Sequence, residues 1–365
     1  MIIKFSGCNL NLSFINFRKQ LETVLVTGGC GYIGSHTCVC LVKKGFNIVI
    51  LDSLVNSYKS SYLKILEILR NEDKELINMI KFHEGDLRDM KFLGGIFAKQ
   101  KKAGDPISSV IHFAGLKSIE ESIKSPLEYW ETNVVSTLSL LNVMAQYSCY
   151  SMIFSSSATV YKTSNSTLLN EDSYLKPSNP YGETKLAIEI ILRDLYLSNK
   201  EKWRISNLRY FNPVGVHESG LLGENPKGEA KNLFPNINKV IKKEKEKLLI
   251  FGNNWPTKDG TCIRDFIHVM DLAEAHVAAL DYLLMNEPKI LTLNIGTGKG
   301  TSVLEVMSTF EHLGTKIPHQ FVDKRTGDIP FVVADNKLAL KLLNWSPKRK
   351  LIQMCKDSLN NVLHE

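Results

Sequence analysis

The sequence predicts an α/β protein, a doubly wound parallel sheet with a second, smaller α/β lobe for substrate. Three observations predict it. A short apolar run, Val24-Leu25-Val26, leads into a glycine-rich turn and then into a helical segment. Apolar runs and helix-like stretches then alternate, as strands of a parallel sheet must when crossover helices join them. After Asn212-Pro213 the alternation gives way to stretches rich in Gly, Pro and Asn at 215–228, 252–260 and 324–330, the composition of loops built around a ligand. Residues 1–22 lack periodicity and read as an N-terminal extension. Residues 23–211 read as the nucleotide-binding unit and 212–365 as the substrate lobe, with segments returning to the sheet.

The elements follow in order. The turn Thr27-Gly28-Gly29-Cys30-Gly31-Tyr32-Ile33-Gly34 opens a helix over 35–44 that Gly45 closes. Residues 46–51 form the next strand, ending at Asp52. Ile80-Lys81-Phe82, 110–113, Met152-Ile153-Phe154 and 205–210 supply the others. Residues 162–179, rich in Ser, Thr and Asn, read as a loop. Residues 186–197 repeat apolar positions at helical spacing, and the lysine-rich run 239–247, with Glu interleaved, reads as a solvated helix face.

Composition excludes several classes. At 365 residues and 44% hydrophobic, the chain can bury a sizeable core, and no apolar run reaches membrane-spanning length. The net charge of +7 mildly favours an anionic ligand, but without clustered aromatics it does not point to nucleic acid. Seven cysteines with no Cys-x-x-Cys pair suit reduced thiols in the cytoplasm, with Cys38 and Cys40 as packing residues and no metal site expected.

The glycine string has a physical reading. Gly28 allows the turn, Gly31 lets backbone approach a pyrophosphate at the helix N-terminus, and Gly34 permits close helix packing. Asp52, at the end of the second strand, stands where a carboxylate accepts hydrogen bonds from an adenosine ribose. Its charge repels a 2′-phosphate, which favours NAD over NADP.

Tyr181 and Lys185 stand one helical turn apart, just after Asn179-Pro180, with Ser155-Ser156-Ser157 at an upstream strand end. A tyrosine of pKa ~10 must drop by about three units, on the order of 4 kcal/mol, to act as a base near neutrality. A nearby ammonium supplies part of that, a cationic nicotinamide more, and a serine hydroxyl can hold the substrate oxygen. A second Tyr-xxx-Lys, Tyr196 and Lys200, lies near the other end of the helix and is assigned to packing and solvent.

In these segments the chain resembles the extended short-chain dehydrogenase/reductase superfamily, and within it the nucleotide-sugar 4-epimerases. The likeness is strongest over 24–38, His112-Phe113-Ala114-Gly115-Leu116-Lys117, 154–161, 208–215 and 259–272. It implies a Rossmann fold and a retained NAD contacted by Gly28, Gly31, Tyr32, Ile33, Gly34, Asp52, Asn56, Asp86, Leu87, Phe113, Ala114, Gly115, Lys117, Asn133, Tyr181, Lys185 and Tyr210. It implies UDP-galactose and UDP-glucose as substrates, bound by Lys117, Ser157, Tyr181, Asn212, Asn232, Leu233, Arg264, Arg325, Asp328 and Val332. The two arginines suit a diphosphate and Asp328 a ribose hydroxyl. Tyr181 is the implied base, Ser157 its partner, and a transient 4-keto sugar the implied intermediate. A homodimer through helices near 128–147 and 181–198 is also implied.

Some positions depart from the family pattern, among them Ser136 and Lys162, where glycine is usual. Val332 stands where some bacterial relatives carry tyrosine, which leaves room for an acetamido group and makes UDP-GalNAc and UDP-GlcNAc candidate substrates. Two alternatives stay open. Related 4,6-dehydratases place an Asp-Glu pair after the serine or threonine, where this chain has Ala158-Thr159, and a catalytically silent NAD(H) sensor would have no need of Ser157, Tyr181 and Lys185 together.

Overall fold

The computed structural model describes residues 22–162, 168–228, 231–325 and 328–364. Within them the strands are β1 (Thr23–Thr27), β2 (Asn47–Asp52), β3 (Ile80–Glu84), β4 (Ile107–His112), β5 (Ser151–Ser157), β6 (Arg204–Tyr210), β7 (Asn212–Val214), β8 (Leu248–Phe251), β9 (Ile263–Arg264), β10 (Phe266–His268), β11 (Ile290–Ile295), β12 (Thr301–Ser302), β13 (His319–Val322) and β14 (Phe331–Val332). The helices are α1 (Tyr32–Lys43), α2 (Lys59–Glu72), α3 (Met90–Lys102), α4 (Ile119–Lys124), α5 (Pro126–Tyr129), α6 (Ser136–Gln146), α7 (Pro180–Ser198), α8 (Leu233–Ile241), α9 (Val269–Met285), α10 (Val303–His312), α11 (Lys337–Leu343) and α12 (Leu351–His364).

Seven strands form one parallel sheet in the order β11-β6-β5-β4-β1-β2-β3. Central strands are apolar on both faces because helices cover both. Val24 and Val26 of β1 join one core with Ile48, Ile50 and the helices α1 and α9, whereas Leu25 joins the other with Val49, Leu51 and the helices α3, α6 and α7. The chain runs from β1 to β2 and β3, then crosses to β4 on the opposite side of β1. That reversal opens a crevice at the carboxyl ends of β1 and β4, where open α/β sheets bind ligands.

Helix limits differ from the sequence reading for local reasons. α1 begins three residues earlier than expected, with Gly31 as its extended N-terminal cap, and Gly45 at φ 89° turns the chain after it. α7 starts at Pro180, with Tyr181 and Lys185 on its first turns as expected, because the Asn179 side chain accepts from the Gly182 N–H and proline suits the first helical position. The run 239–247 is not one helix face: α8 ends at Ile241, and Lys243 takes a left-handed conformation at φ 61°.

The second lobe has its own core of Phe234, Ile237, Leu248, Ile250, Val306, Phe310 and Met354, beside the short sheets β10-β7, β12-β9-β14 and β13-β8. Val160, Tyr161, Leu169, Phe211 and Ala334 form a smaller cluster that joins this lobe to the carboxyl end of β5. β11 arrives from beyond the lobe's first half to pair with β6.

Candidate active site

Three loops meet at the crevice. Gly28 adopts φ 70°, and a Cβ there would lie 2.7 Å from the Ala114 amide nitrogen, so glycine allows the turns after β1 and β4 to touch. A Cβ on Gly34 would meet the Gly28 carbonyl oxygen at 2.3 Å, which is the close helix packing expected of the third glycine. At Gly31 the one near atom is that same carbonyl oxygen, at 3.2 Å, leaving its outer side open. Asp52 braces the turn: Oδ2 accepts from the Cys30 N–H at 2.9 Å, and Oδ1 from the Leu54 N–H at 2.9 Å and Ser57 Oγ at 2.8 Å. Ile33 packs against the core, Asn56 is exposed, and Leu87 is buried. The Arg88 guanidinium grips Asp86 and holds its carboxyl below the usual range.

The loop after β4 is fixed from behind. Asn133 Oδ1 accepts from the Leu116 N–H at 2.7 Å, and its Nδ2 donates to the Leu116 carbonyl and to Thr184 Oγ1, both at 3.1 Å. The amide is thus engaged by protein, and the Asn133 side chain fixes the loop at Leu116. Gly115, at φ 152°, leaves space for it, since a Cβ would come within 2.9 Å of Asn133 Oδ1. His112 completes the brace. Thr137 Oγ1 lies 2.6 Å from the Asn133 carbonyl, to which it gives its single proton. It must therefore accept from His112 Nε2–H at 2.9 Å, which leaves Nδ1 to accept from Thr27 Oγ1 at 2.7 Å. Burial holds this imidazole neutral, its pKa pulled down to about 3.

The catalytic candidates sit on the same rim. The strand end Ser155-Ser156-Ser157 faces the first turns of α7. Lys185 Nζ donates to the Ser155 carbonyl at 2.7 Å and lies 4.9 Å from the Phe154 ring centre and 5.8 Å from that of Tyr181. Burial lowers its pKa to about 8, opposed by the charge of Glu189. Ser157 hydrogen-bonds with Tyr181, and its Oγ also accepts from the Thr159 N–H at 3.2 Å. Burial nevertheless raises the Tyr181 pKa, which the Ser157 contact only partly offsets. The protein's side chains alone therefore do not make this phenol acidic, contrary to the expectation that Lys185 contributes a lowering. The ammonium is seated on a carbonyl instead of on the phenol oxygen. Tyr210 donates to Ser155 Oγ, and its ring is 5.6 Å from His276, which also meets Phe113 at 4.7 Å. At the far end of α7, Tyr196 packs against the core and Lys200 is exposed, as expected of the second Tyr-xxx-Lys.

The second lobe brings its candidates up to this rim. Tyr32 Oη donates to the Gly215 carbonyl at 2.6 Å, tying the glycine turn to the lobe. Lys117 Nζ meets Glu224 Oε1 at 3.1 Å, and Asn232 Nδ2 donates to the same oxygen at 2.9 Å. Leu233 opens α8 and is partly buried, and the Asn212 N–H donates to the Asp265 carbonyl at 3.0 Å. Arg264, in register with Val332, donates from Nη1 to the Ile263 and Ile329 carbonyls at 2.9 Å. Arg325 pairs with Asp328 at 3.1 Å, its guanidinium 4.3 Å from the Phe251 ring centre. Val332 packs at the edge of the cluster around Val160 and Phe211.

Three carboxylates that the fold sets in and around the site escaped the sequence reading: Glu224, Glu189 and Asp265. Each is one carboxylate among many in the sequence, and only the fold gives it partners from distant segments. Asp265 carried the best signal, an acid set between Arg264 and the apolar Phe266-Ile267. Among the described residues, no group of three or more His, Cys, Asp or Glu could hold a metal ion.

A family described as GDP-mannose 4,6 dehydratase matches residues 25–358. The UDP-glucose 4-epimerase of Bacillus subtilis is 45% identical over 336 residues, 92% of this chain and 95% of its own. UDP-glucose 4-epimerase 2 of Arabidopsis thaliana is 45% identical over 340 residues, 93% of this chain and 94% of its own. The solved UDP-glucose 4-epimerase of Stenotrophomonas maltophila, with bound NAD and formylated UDP-arabinopyranose, superposes with a TM-score of 0.87 at 41% identity, covering 94% of this chain and 98% of that one. That of Bifidobacterium longum, in complex with NAD+ and UDP, gives 0.86 at 41% identity, covering 94% and 99%. The chain belongs to the extended short-chain dehydrogenase/reductase family and, within it, to the UDP-glucose 4-epimerases.

Proposed function

We propose that this protein interconverts UDP-galactose and UDP-glucose with a retained NAD, through transient oxidation at sugar C4. The observation that carries the reading is the convergence of Ser157, Tyr181 and Lys185 on the rim where the Gly28 turn and the β4 loop meet. The residues fit the cofactor: the open side of Gly31 and the N-terminus of α1 suit a pyrophosphate, and the buried Asp52 carboxylate stands ready for a ribose. NAD, when bound, supplies reversible acceptance of hydride from C4 and a positive charge that favours tyrosinate at 181.

The chain's own residues do the rest. Tyr181 removes the proton from the 4-hydroxyl and later returns it, with Ser157 steadying the oxygen. Arg264, Arg325, Asn212, Asn232 and Asp328 grip the UDP half, so the oxidised sugar can turn about its bond to the diphosphate and offer its other face. Incubating purified protein with UDP-galactose, without added NAD, and separating the products tests activity and cofactor retention together. Absence of UDP-glucose would leave the silent sensor as the better reading. The dehydratase reading is disfavoured because Ala158 and Thr159 follow Ser157 and Thr159 only donates to it.

The N-acetyl sugars extend the same reading. The solved UDP-Glc/GlcNAc 4-epimerase of Campylobacter jejuni is 34% identical to this chain, with a TM-score of 0.78. Val332, small and beside Arg264, supports acceptance of UDP-GlcNAc and UDP-GalNAc here. Val332→Tyr is expected to lower turnover of the N-acetyl sugars at least tenfold while that of UDP-galactose changes less than threefold, roughly the 1–3 kcal/mol that pocket size commands. Equal losses on both would contradict it.

We also propose a homodimer. Leu127, Trp130, Val135 and Leu138 lie exposed around α5 and α6, and Ile190 and Leu197 on α7. An apolar face of that kind is what isologous pairing buries. Leu138→Arg should halve the mass measured by sedimentation; a monomeric parent protein would overturn the assignment. The NAD-binding unit is read as 23–211 completed by β11, and the lobe as the remainder of 212–365. No helix among the described residues is long and apolar enough to cross a membrane, and the six described cysteines are free, buried thiols. Those thiols support a cytoplasmic location, which fractionation checks.

A further inference from the structure

Each serine of the triple-serine strand end serves a different partner. Ser155 holds Lys185 through its carbonyl, and Ser157 meets Tyr181. Ser156 points to the other face of the sheet, toward α7, where its Oγ donates to Glu189 Oε1 at 2.5 Å. Glu189 lies one helical turn beyond Lys185. From the adjacent strand β6, Arg209 closes on it with Nε to Oε1 at 2.9 Å and Nη2 to Oε2 at 2.6 Å. The two side chains are 6% and 5% exposed. Arg209 is itself located by Tyr161 Oη at 3.0 Å and the Glu171 carbonyl at 3.1 Å.

A buried ion pair is a poor device for stability, because desolvating two charges offsets most of what their attraction returns. This one sits directly beneath the catalytic helix turn, and its carboxylate end is the nearer to Lys185 along α7. We propose that Glu189 is a positioning residue for the reaction: locked by Arg209 and Ser156, it keeps the Lys185 side chain charged and seated on the Ser155 carbonyl. The inference rests on the epimerase reading of this site. The groups around Lys185 leave Glu189 as the source of negative charge. Tyr181 is on its own helix, and His112 faces it from β4 as a neutral Nε2–H imidazole. Arg209 and Tyr210 come from β6, and Tyr129 lies beside Tyr181. Burial already pulls Lys185 down to about 8, and Glu189 is the charge that opposes the fall.

The sign follows. Lys185 works as an ammonium, so its deprotonation sets the alkaline limb of the kcat profile, and loss of the carboxylate moves that limb to lower pH. The test measures kcat and KM for UDP-galactose against pH, on NAD-loaded protein, for Glu189→Gln and for the double variant Glu189→Gln, Arg209→Met, which leaves no unpaired buried charge. Both should show the alkaline limb lowered, Glu189→Gln by about one pH unit with kcat above it reduced roughly tenfold, and the double variant in the same direction by less because it also removes the Arg209 charge, while KM and bound NAD per chain stay near the parent values. A folded double variant with the parent's alkaline limb would overturn the inference, as would failure of both variants to fold, which would make the pair purely structural. Absence of turnover in the parent protein would overturn the epimerase reading itself and with it this role.

Discussion

Tyr181→Phe keeps its fold and its NAD but loses on the order of 10³-fold in turnover, the range that positioned acid–base groups contribute. The substitution removes one oxygen from a side chain whose ring stays packed at the start of α7, so circular dichroism and bound cofactor should match the parent. The loss falls on kcat, since the hydroxyl's proton moves in the reaction and contributes little to gripping UDP. The site gives the effect its size. Burial keeps the phenol protonated in the absence of other charge, and Ser157 is its hydrogen-bond partner. Tyr181→Phe leaves the sugar 4-hydroxyl without a base to take its proton. A variant retaining a tenth or more of the parent kcat would show that another group removes the proton.

Asp265→Ala destabilises the protein by roughly 3–5 kcal/mol, by the cost of several buried donors left unpaired. Asp265 is fully buried. Its Oδ1 accepts from the Thr297 N–H at 2.8 Å and Thr297 Oγ1 at 2.6 Å, and its Oδ2 from the Gly298 N–H at 2.9 Å and the Ala334 N–H at 3.2 Å. Burial raises its pKa despite these four donors. The carboxylate joins the loop after β11 and the segment after β14 to the turn between β9 and β10. Removing it takes the acceptor from three backbone N–H groups, those of Thr297, Gly298 and the buried Ala334. Gly296 shows how closely the site is filled, since a Cβ there would reach Asp265 Oδ2 at 2.7 Å. The measurement is the urea midpoint of the variant at constant m-value; a shift worth less than about 1 kcal/mol would contradict the ledger of donors.

What could be read from the chain was periodic or punctuated. The strands β1, β2, β4, β5 and β6 announce themselves as apolar runs because both their faces are buried, and the glycines of the first turn because no other residue fits φ 70° against Ala114. Tyr181 was separable from Tyr196 because helix polarity and Pro180 put one near the sheet's carboxyl edge. β11 was not marked out, being a run whose first residues are only partly buried. The partners of Glu224, Glu189 and Asp265 were out of reach for another reason. Each makes contacts across many residues of sequence, and a lone carboxylate carries no mark of which distant arginine, lysine or amide it will meet.

The position of β11 has a consequence for how the protein is made. β6 is an interior strand of the finished sheet, yet its outer neighbour is encoded only after the chain has traversed β7 to β10 and α9. During synthesis β6 waits as an open edge, with its amides and carbonyls available to any strand that passes. The nucleotide-binding half thus cannot finish folding as an independent early unit. The chain must first emerge through residues 290–295 before that edge is covered.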